Sequence, residues 1–424
     1  MNDVRERRQQ LLGNATLFYQ DPVHIVRGEG VRLYDESGRE YLDLYNNVPC
    51  VGHANPHVVE AVARQMGTLN VHSRYLHGGV LDYADRLLAL HHDDIESVVF
   101  ACSGTEAVEV ALMMARAATG GEGIICTDAT YHGNSAEVRK MTRASVHGHP
   151  VDPNFRAIRY PQTYRPLVEH VDDEALCDAY LEGLAEAIRD FEKNGIRFAA
   201  LVMCSIFANE GLPVIPGRFM EKATAMVREA GGLVIADEVQ AGFCRSGDWW
   251  GYETTGFRPD IVTMGKPMGN GIPLSGCAAS RELVAAFRDN TRYFNTFASS
   301  PVQAAAGMAV LDVIESEGLL ARSAAVGRTL YEAIAAMAGD VPWIGDVRGT
   351  GLFVGIDVVK DKVSREEDLA AAVTLVNRLR NKGFLISNAG ERGNVLKIRP
   401  PLVFESHHAE SFLTGFREVV AEHG

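Results

Sequence analysis

Apolar residues recur along this chain in two alternating rhythms. Five short runs are apolar at nearly every position: Ser97–Cys102 (SVVFAC), Gly123–Thr127 (GIICT), Ala199–Met203 (AALVM), Gly232–Ala236 (GLVIA) and Ile261–Met264 (IVTM). None of them has a polar face. A strand reads this way when both its sides are covered, as in a parallel sheet between layers of helices. Between these runs lie stretches with helical spacing of apolar positions, Thr105–Ala117 and Arg218–Ala230. The alternation predicts an α/β fold with a mostly parallel central sheet, in a large domain over residues 56–304. The ends read differently. Val31–Tyr34 and Glu40–Leu44 flank Asp35-Glu36-Ser37-Gly38, which is a hairpin signal. Helices are expected at about 304–338 and 366–382, and strands at Gly351–Val358 and Asn394–Arg399. These pieces predict a smaller α+β domain built from both termini, residues 1–55 and 305–424.

Size and charge narrow the function classes. A chain of 424 residues is too long for one simple core, which agrees with two domains. The net charge of -14 gives no electrostatic reason to bind nucleic acid or an anionic membrane. No apolar run approaches the roughly 20 residues that span a bilayer. The opening MNDVRERRQQLLG lacks the apolar centre of a secretory signal, so a cytoplasmic location is expected. The seven cysteines are odd in number, widely spaced and without a CxxC pair, which suits reduced thiols and no zinc site. No HExxH occurs among the 14 histidines, and no metal is expected. The adjacent pairs His91-His92 and His407-His408 are expected to be solvated.

Chemistry gathers where apolar runs end. In GLVIADEVQAGF a strand stops at Asp237-Glu238, and ligands of open α/β sheets sit at such carboxyl ends. An acidic residue there meets a bound cation. In IVTMGKPMGNG a second run feeds straight into Gly265-Lys266. A lysine directly after a buried strand is rare without a task, and forming an imine removes the cost of burying its charge. In FACSGTEAVEVA the strand stops at Cys102, and Ser103, Gly104 and Thr105 open a helix whose free amides suit a phosphate. Tyr131, His132 and Gly133 follow the GIICT strand and offer an aromatic face to a flat ring. Thr296, in YFNTFASSP, stands in a polar turn before a helix as a further phosphate ligand. An imine lysine, a carboxylate for a pyridinium nitrogen, a phosphate cup and a stacking ring are the parts that pyridoxal 5'-phosphate (PLP) requires.

Together the stretches SGTEA, YHG, ADEVQ-GF, TMGK, NTF and PPL resemble those of class III, fold type I, PLP-dependent aminotransferases over nearly the whole chain. The resemblance implies Lys266 and Asp237 as catalytic residues, with Lys266 on the cofactor aldehyde and Asp237 on the ring nitrogen. It implies Gln240 on the ring hydroxyl, Gly104 and Thr105 on the phosphate, and Tyr131 on the ring face. It also implies an obligate homodimer in which Thr296 completes the neighbour's phosphate site. NNVPCVGHANP, SRYLH, GDVRGTGLFVGID and NVLKIRPPLVF resemble the alanine–glyoxylate aminotransferase 2-like branch, where some members are phospho-lyases. The chain departs from the class at Cys204-Ser205, where many relatives have Glu-Pro, at Asn209, where some carry an acidic gate, and at Lys397, where many carry a carboxylate-gripping arginine. Strand alternation puts Lys397 and Arg399 on one face, both able to serve an anion, with Arg292 a further cation. Tyr45 and Phe207, with Phe18 and Tyr19, are expected to line an apolar side of the substrate pocket. The expected reaction is transfer of an amino group from an amine or amino acid to a small 2-oxo acid or aldehyde. The alternative is a phospho-lyase or ammonia-lyase on a phosphorylated or phosphono amine such as ethanolamine phosphate.

Overall fold

The structure, a computed structural model, describes residues 2–142 and 152–423. Near the N-terminus, β1 (Ile25–Glu29), β2 (Arg32–Asp35) and β3 (Glu40–Asp43) form an antiparallel meander, in which β2 and β3 are the expected hairpin and β1 is an added strand. The central strands are β4 (Ser97–Ala101), β5 (Gly123–Thr127), β6 (Phe155–Ile158), β7 (Phe198–Cys204), β8 (Leu233–Asp237), β9 (Ile261–Met264) and β10 (Ser275–Ala279). Toward the C-terminus follow β11 (Ile344–Thr350), β12 (Phe353–Val358), β13 (Phe384–Leu385), β14 (Ser387–Ala389) and β15 (Val395–Ile398).

The central sheet has seven strands in the order β4-β10-β9-β8-β7-β5-β6. It is mixed: β9, β8, β7, β5 and β6 run parallel, while β10 is antiparallel to both β9 and β4. Every residue of β5, β7 and β9 is buried, which is why those runs carry no polar face. Two strands lie outside the apolar-run pattern. β10 (SGCAA) is buried throughout, but its small residues give no strong strand signal. β6 (FRAI) is a short strand at the sheet edge and carries Arg156.

Two four-stranded sheets flank the central one, in the orders β1-β2-β3-β13 and β11-β12-β15-β14. The first ties the two termini together, because Phe384 and Leu385 pair parallel with Leu42 and Asp43. The single helix expected at about 304–338 is two helices, Pro301–Ser316 and Leu319–Ala338. They break at Gly318, whose φ of 62° is open to glycine and ends a helical run. Among the described residues, no helix is long and apolar enough to cross a membrane, and no group of three or more His, Cys, Asp and Glu side chains could hold a metal.

One histidine of each pair departs from the expected solvation, while His407 is exposed as expected. His91 stacks on Trp250 with ring centroids 4.0 Å apart, and its Nδ1 lies 3.1 Å from the Tyr252 hydroxyl. Burial there pushes its pKa down to about 3. His408 is 7% exposed beneath Phe404, and burial followed by the neighbouring His407 brings it down to about 4. A neighbouring aromatic ring covers each of these two, and no periodicity of the chain announces that.

Candidate active site

The carboxyl ends of β4, β5, β7, β8 and β9 converge on one cavity of about 440 Å³. Ser103, Gly104, Thr105, Tyr131, His132, Gly133, Asp237, Gln240 and Lys266 all line it, so the parts read separately from the sequence meet in one place. Two of them, and Cys204 beside them in the wall, come from the ends of strands. Asp237 is the last residue of β8, Lys266 stands two residues after β9, and Cys204 ends β7 directly beside Asp237 in register.

Lys266 forms no hydrogen bond or ion pair among the described residues. Burial pushes its amine below the usual lysine range, while Asp237 opposes that shift. The side chain is thus a nucleophile aimed into open space, with little to hold it charged. Asp237 is fixed from two sides. Its Oδ2 lies 2.6 Å from His132 Nδ1, and its Oδ1 accepts from the Val239 amide at 3.0 Å. The buried His132 ring has its Nε2 3.0 Å from the Thr130 hydroxyl. With Nδ1–H given to Asp237, Nε2 accepts from Thr130, so the aspartate is oriented by a chain of two residues. The neighbouring Glu238 does not face the cavity. It accepts from Ser205 Oγ at 2.5 Å and from the amides of Gly251 and Tyr252 at 2.8 and 2.9 Å, and burial pushes it up to about 7. Cys204 and Ser205 therefore divide their work. The thiol lines the cavity and the hydroxyl satisfies Glu238.

The helix Gly104–Thr119 opens on the cavity with a capping box. Ser103 Oγ accepts from the Glu106 amide, and Glu106 Oε2 accepts from the amides of Cys102 and Ser103 at 2.7 and 3.1 Å. The box leaves the first-turn amides of Gly104 and Thr105 without a helical partner, which is the arrangement that binds an anion. Thr105 Oγ1 also accepts from the amides of Asn134 and Ser135, each at 3.1 Å. That contact requires glycine at 133, where φ is 149° and a Cβ would lie 2.3 Å from Thr105 Oγ1. The turn carrying Tyr131 thus closes directly onto the helix start.

Gln240 Nε2 donates to Asn209 Oδ1 at 3.0 Å, and Asn209 Nδ2 donates to the Tyr131 carbonyl at 3.1 Å. The Gln240 carbonyl faces away from this pair and accepts from Lys397 Nζ at 3.2 Å and from Arg399 Nη1. Lys397 and Arg399 therefore stand behind Gln240 and outside the cavity wall. Tyr45 lies beside them, its ring 4.8 Å from the Arg399 guanidinium carbon and edge-on to Phe18 at 5.1 Å. Tyr19 donates to the Ile386 carbonyl at 3.0 Å. Phe207 is 1% exposed and belongs to the core, apart from the cavity. Thr296 and Arg292 are exposed and do not reach the cavity of their own chain. His132 as the partner of Asp237, Asn209 as a bridge and Val239 as part of the wall went unassigned in the sequence reading. His132 carried a signal as part of the Tyr131-His132-Gly133 stretch and Asn209 as a departure from the class, and Val239 carried none.

These residues fit PLP. Unpartnered helix-end amides suit its phosphate, an oriented aspartate suits its ring nitrogen, Gln240 suits its ring oxygen and the free Lys266 amine suits its aldehyde.

Comparison with known proteins agrees with this reading. The sequence model for aminotransferase class-III matches residues 18–420. The chain is 37% identical over 421 residues to a Drosophila melanogaster protein named alanine--glyoxylate aminotransferase 2-like, covering 97% of this chain and 85% of that one. It is 34% identical to ethanolamine-phosphate phospho-lyase homolog 1 of Caenorhabditis elegans, covering 99% of this chain and 93% of that one. Among solved structures, a phospholyase from Arthrobacter in complex with phosphoethanolamine superimposes with a TM-score of 0.95 at 40% identity, covering 99% of each chain.

Proposed function

Because the chain belongs to the class-III aminotransferase family and is a PLP-dependent enzyme, we propose that Lys266 and Asp237 form its catalytic pair and that its substrate is a small amine bearing phosphate or phosphonate. Lys266 holds the cofactor at its aldehyde carbon. Asp237 holds the ring nitrogen, Gln240 the ring oxygen, Gly104 and Thr105 the phosphate, and Tyr131 covers a ring face. Ser103, His132 and Gly133 shape this cradle. The bound cofactor supplies an electron-withdrawing ring that stabilises negative charge on the carbon next to the substrate nitrogen. Lys266 takes the proton from that carbon, a task suited to an amine whose burial favours the neutral form. The Asp237–His132–Thr130 chain keeps the carboxylate from turning as charge develops.

The same proton removal serves amino transfer and elimination. The observation that favours elimination is the 40% identity and 0.95 TM-score, over 99% of both chains, to a phospholyase complexed with phosphoethanolamine. The cavity wall agrees. Relatives of the class carry acidic residues at two positions of this wall. Here Cys204 and Asn209 occupy those wall positions and give no carboxylate. Lys397 and Arg399 lend positive potential from behind Gln240, which suits an anionic group. In elimination from a phosphate ester the C–O bond breaks with its electron pair leaving on the phosphate, whereas a phosphonate amine keeps its C–P bond and must carry a hydroxyl on the carbon next to the deprotonated one, which leaves as water. Water then releases ammonia and an aldehyde. Amino transfer, the expectation from the class as a whole, is the second reading and is favoured by the relative named as an aminotransferase.

A single screen separates them. Ethanolamine phosphate and aminoethyl phosphonates hydroxylated on the carbon next to the amine carbon are supplied without any oxo acid. Elimination gives continuous release of inorganic phosphate or ammonia with an unchanged visible spectrum. A spectrum that bleaches once, stops, and is restored only by an oxo acid establishes amino transfer instead.

The same reading makes the enzyme a homodimer in which Thr296 of each chain completes the phosphate site of the other. Its support is the exposure of Thr296 beside Phe297, which is 78% exposed. Mixing Lys266→Ala with Thr296→Ala subunits is expected to place both lesions in one site and restore the other. Activity in a verified heterodimer no greater than in either parent argues against the shared site.

A further inference from the structure

Two basic side chains lie buried at the back of the site without an ion-pair partner among the described residues. Lys397 is 4% exposed and Arg399 6% exposed. Both reach across the face of Phe353, at 5.4 and 5.7 Å from its ring centroid. Lys397 Nζ also donates to the Ala208 carbonyl at 3.0 Å, and Arg399 Nε to the Tyr45 carbonyl at 3.0 Å. Their remaining shared target is one atom, Gln240 Oε1. Unpaired buried charges are costly, so a pair converging on a neutral oxygen has a purpose that this oxygen defines.

An amide can be turned end for end, and its two ends do opposite chemistry. Here only one orientation is possible. Turning Gln240 would set its NH₂ against two cationic donors and its oxygen against nothing that donates. With the oxygen held, Nε2 faces the cavity side, spending one hydrogen on Asn209 and keeping the second. We propose that Lys397 and Arg399 are positioning residues that act through Gln240. They clamp its amide so that it always donates to the cofactor's ring oxygen, and so hold that oxygen in its ionised form in the resting enzyme. The proposal rests on the assignment of Gln240 to the ring oxygen made above.

The clamp explains why lysine serves at 397. A point-charge donor needs only reach Oε1 and the Ala208 carbonyl, without the planar fork of an arginine grip. The charged and titratable groups around the pair are Lys266, Cys204 and Glu210 on the cavity side, Asp43 and Tyr45 from the N-terminal sheet, and Arg245. Burial, then the adjacent Arg399, pushes Lys397 well below the usual lysine range. Donation to Gln240 holds for the neutral amine as well as for the ammonium.

The test needs no substrate. The resting holoenzyme's visible absorbance is titrated with pH. A fixed donor and positive charge at the ring oxygen lower the midpoint, so removing them raises it. Lys397→Met and Gln240→Glu are each expected to raise it by about one unit, and Lys397→Arg, which keeps a donor, is expected to return it most of the way. In a Gln240→Ala background, Lys397→Met is expected to add nothing, because its effect passes through the amide. A midpoint that moves with Gln240→Glu but not with Lys397→Met overturns the clamp and leaves the Gln240 assignment standing. If neither moves it, both fail. An equal shift from Lys397→Met with and without Gln240 also overturns the clamp, since the charge would then act directly. Should Lys397→Met not fold, Arg399→Met, which removes the other donor, replaces it: a raised midpoint supports the clamp and an unchanged one overturns it. A lysine that only grips substrate would raise KM and leave the resting midpoint where it is.

Discussion

Lys266→Ala is expected to lower turnover by at least about 10⁴-fold, the upper range for loss of a general acid–base group, because the same amine also holds the cofactor. The protein itself should survive the change. Lys266 makes no hydrogen bond or ion pair among the described residues, and its side chain faces the open cavity, so no partner is left unsatisfied. Thermal unfolding of the cofactor-free variant is therefore expected to match cofactor-free wild type closely. Added small primary amines, which can occupy the vacated space and accept the proton, are expected to restore part of the rate. Turnover within tenfold of wild type would remove Lys266 from the chemistry and leave only a structural lysine after β9.

Asp237→Asn is the second large effect. Removing an electrostatic partner preorganised for developing charge commonly costs about 3–4 kcal/mol, or roughly 10²–10³-fold in rate. Here the loss is expected at the upper end. The carboxylate holds both His132 Nδ1 and the Val239 amide, and an asparagine can accept from only one of them through its single oxygen. If its NH₂ turns toward His132, the imidazole must change tautomer and the Thr130 contact must reverse, with Nε2–H donating to the hydroxyl. Cofactor content should remain near wild type, since the phosphate and lysine attachments are untouched, while the rate falls. A near-normal rate with normal cofactor content would show that another group serves the ring nitrogen.

Much of the site was legible because strands in this fold end abruptly. Apolar runs stop at Cys102, Asp237 and Gly265-Lys266, and a change from buried strand to polar or small residue marks the sheet edge where ligands sit. The strands buried on every residue were equally plain, while β10 escaped because alanine, glycine and cysteine can be buried in any element. What did not show was the choice of partner. Alternation correctly put Lys397 and Arg399 on one face, but their shared acceptor, Gln240, is 157 positions from Lys397. His132 and Asp237 are 105 positions apart, and their bond forms only when β5 and β8 are brought into one sheet. Phe207 shows the limit from the other side. An aromatic after a strand end reads the same whether it lines a pocket or fills the core, and the turn after β7, where Phe207 has a φ of 51°, takes it inward.

The proposed chemistry depends on one covalent attachment. Borohydride reduction of the purified holoenzyme, followed by proteolysis and mass mapping, is expected to find the pyridoxyl group on the peptide containing Lys266, at a stoichiometry near one per chain. A pyridoxyl group on any other lysine, or a chain that binds the cofactor without being labelled, would contradict it.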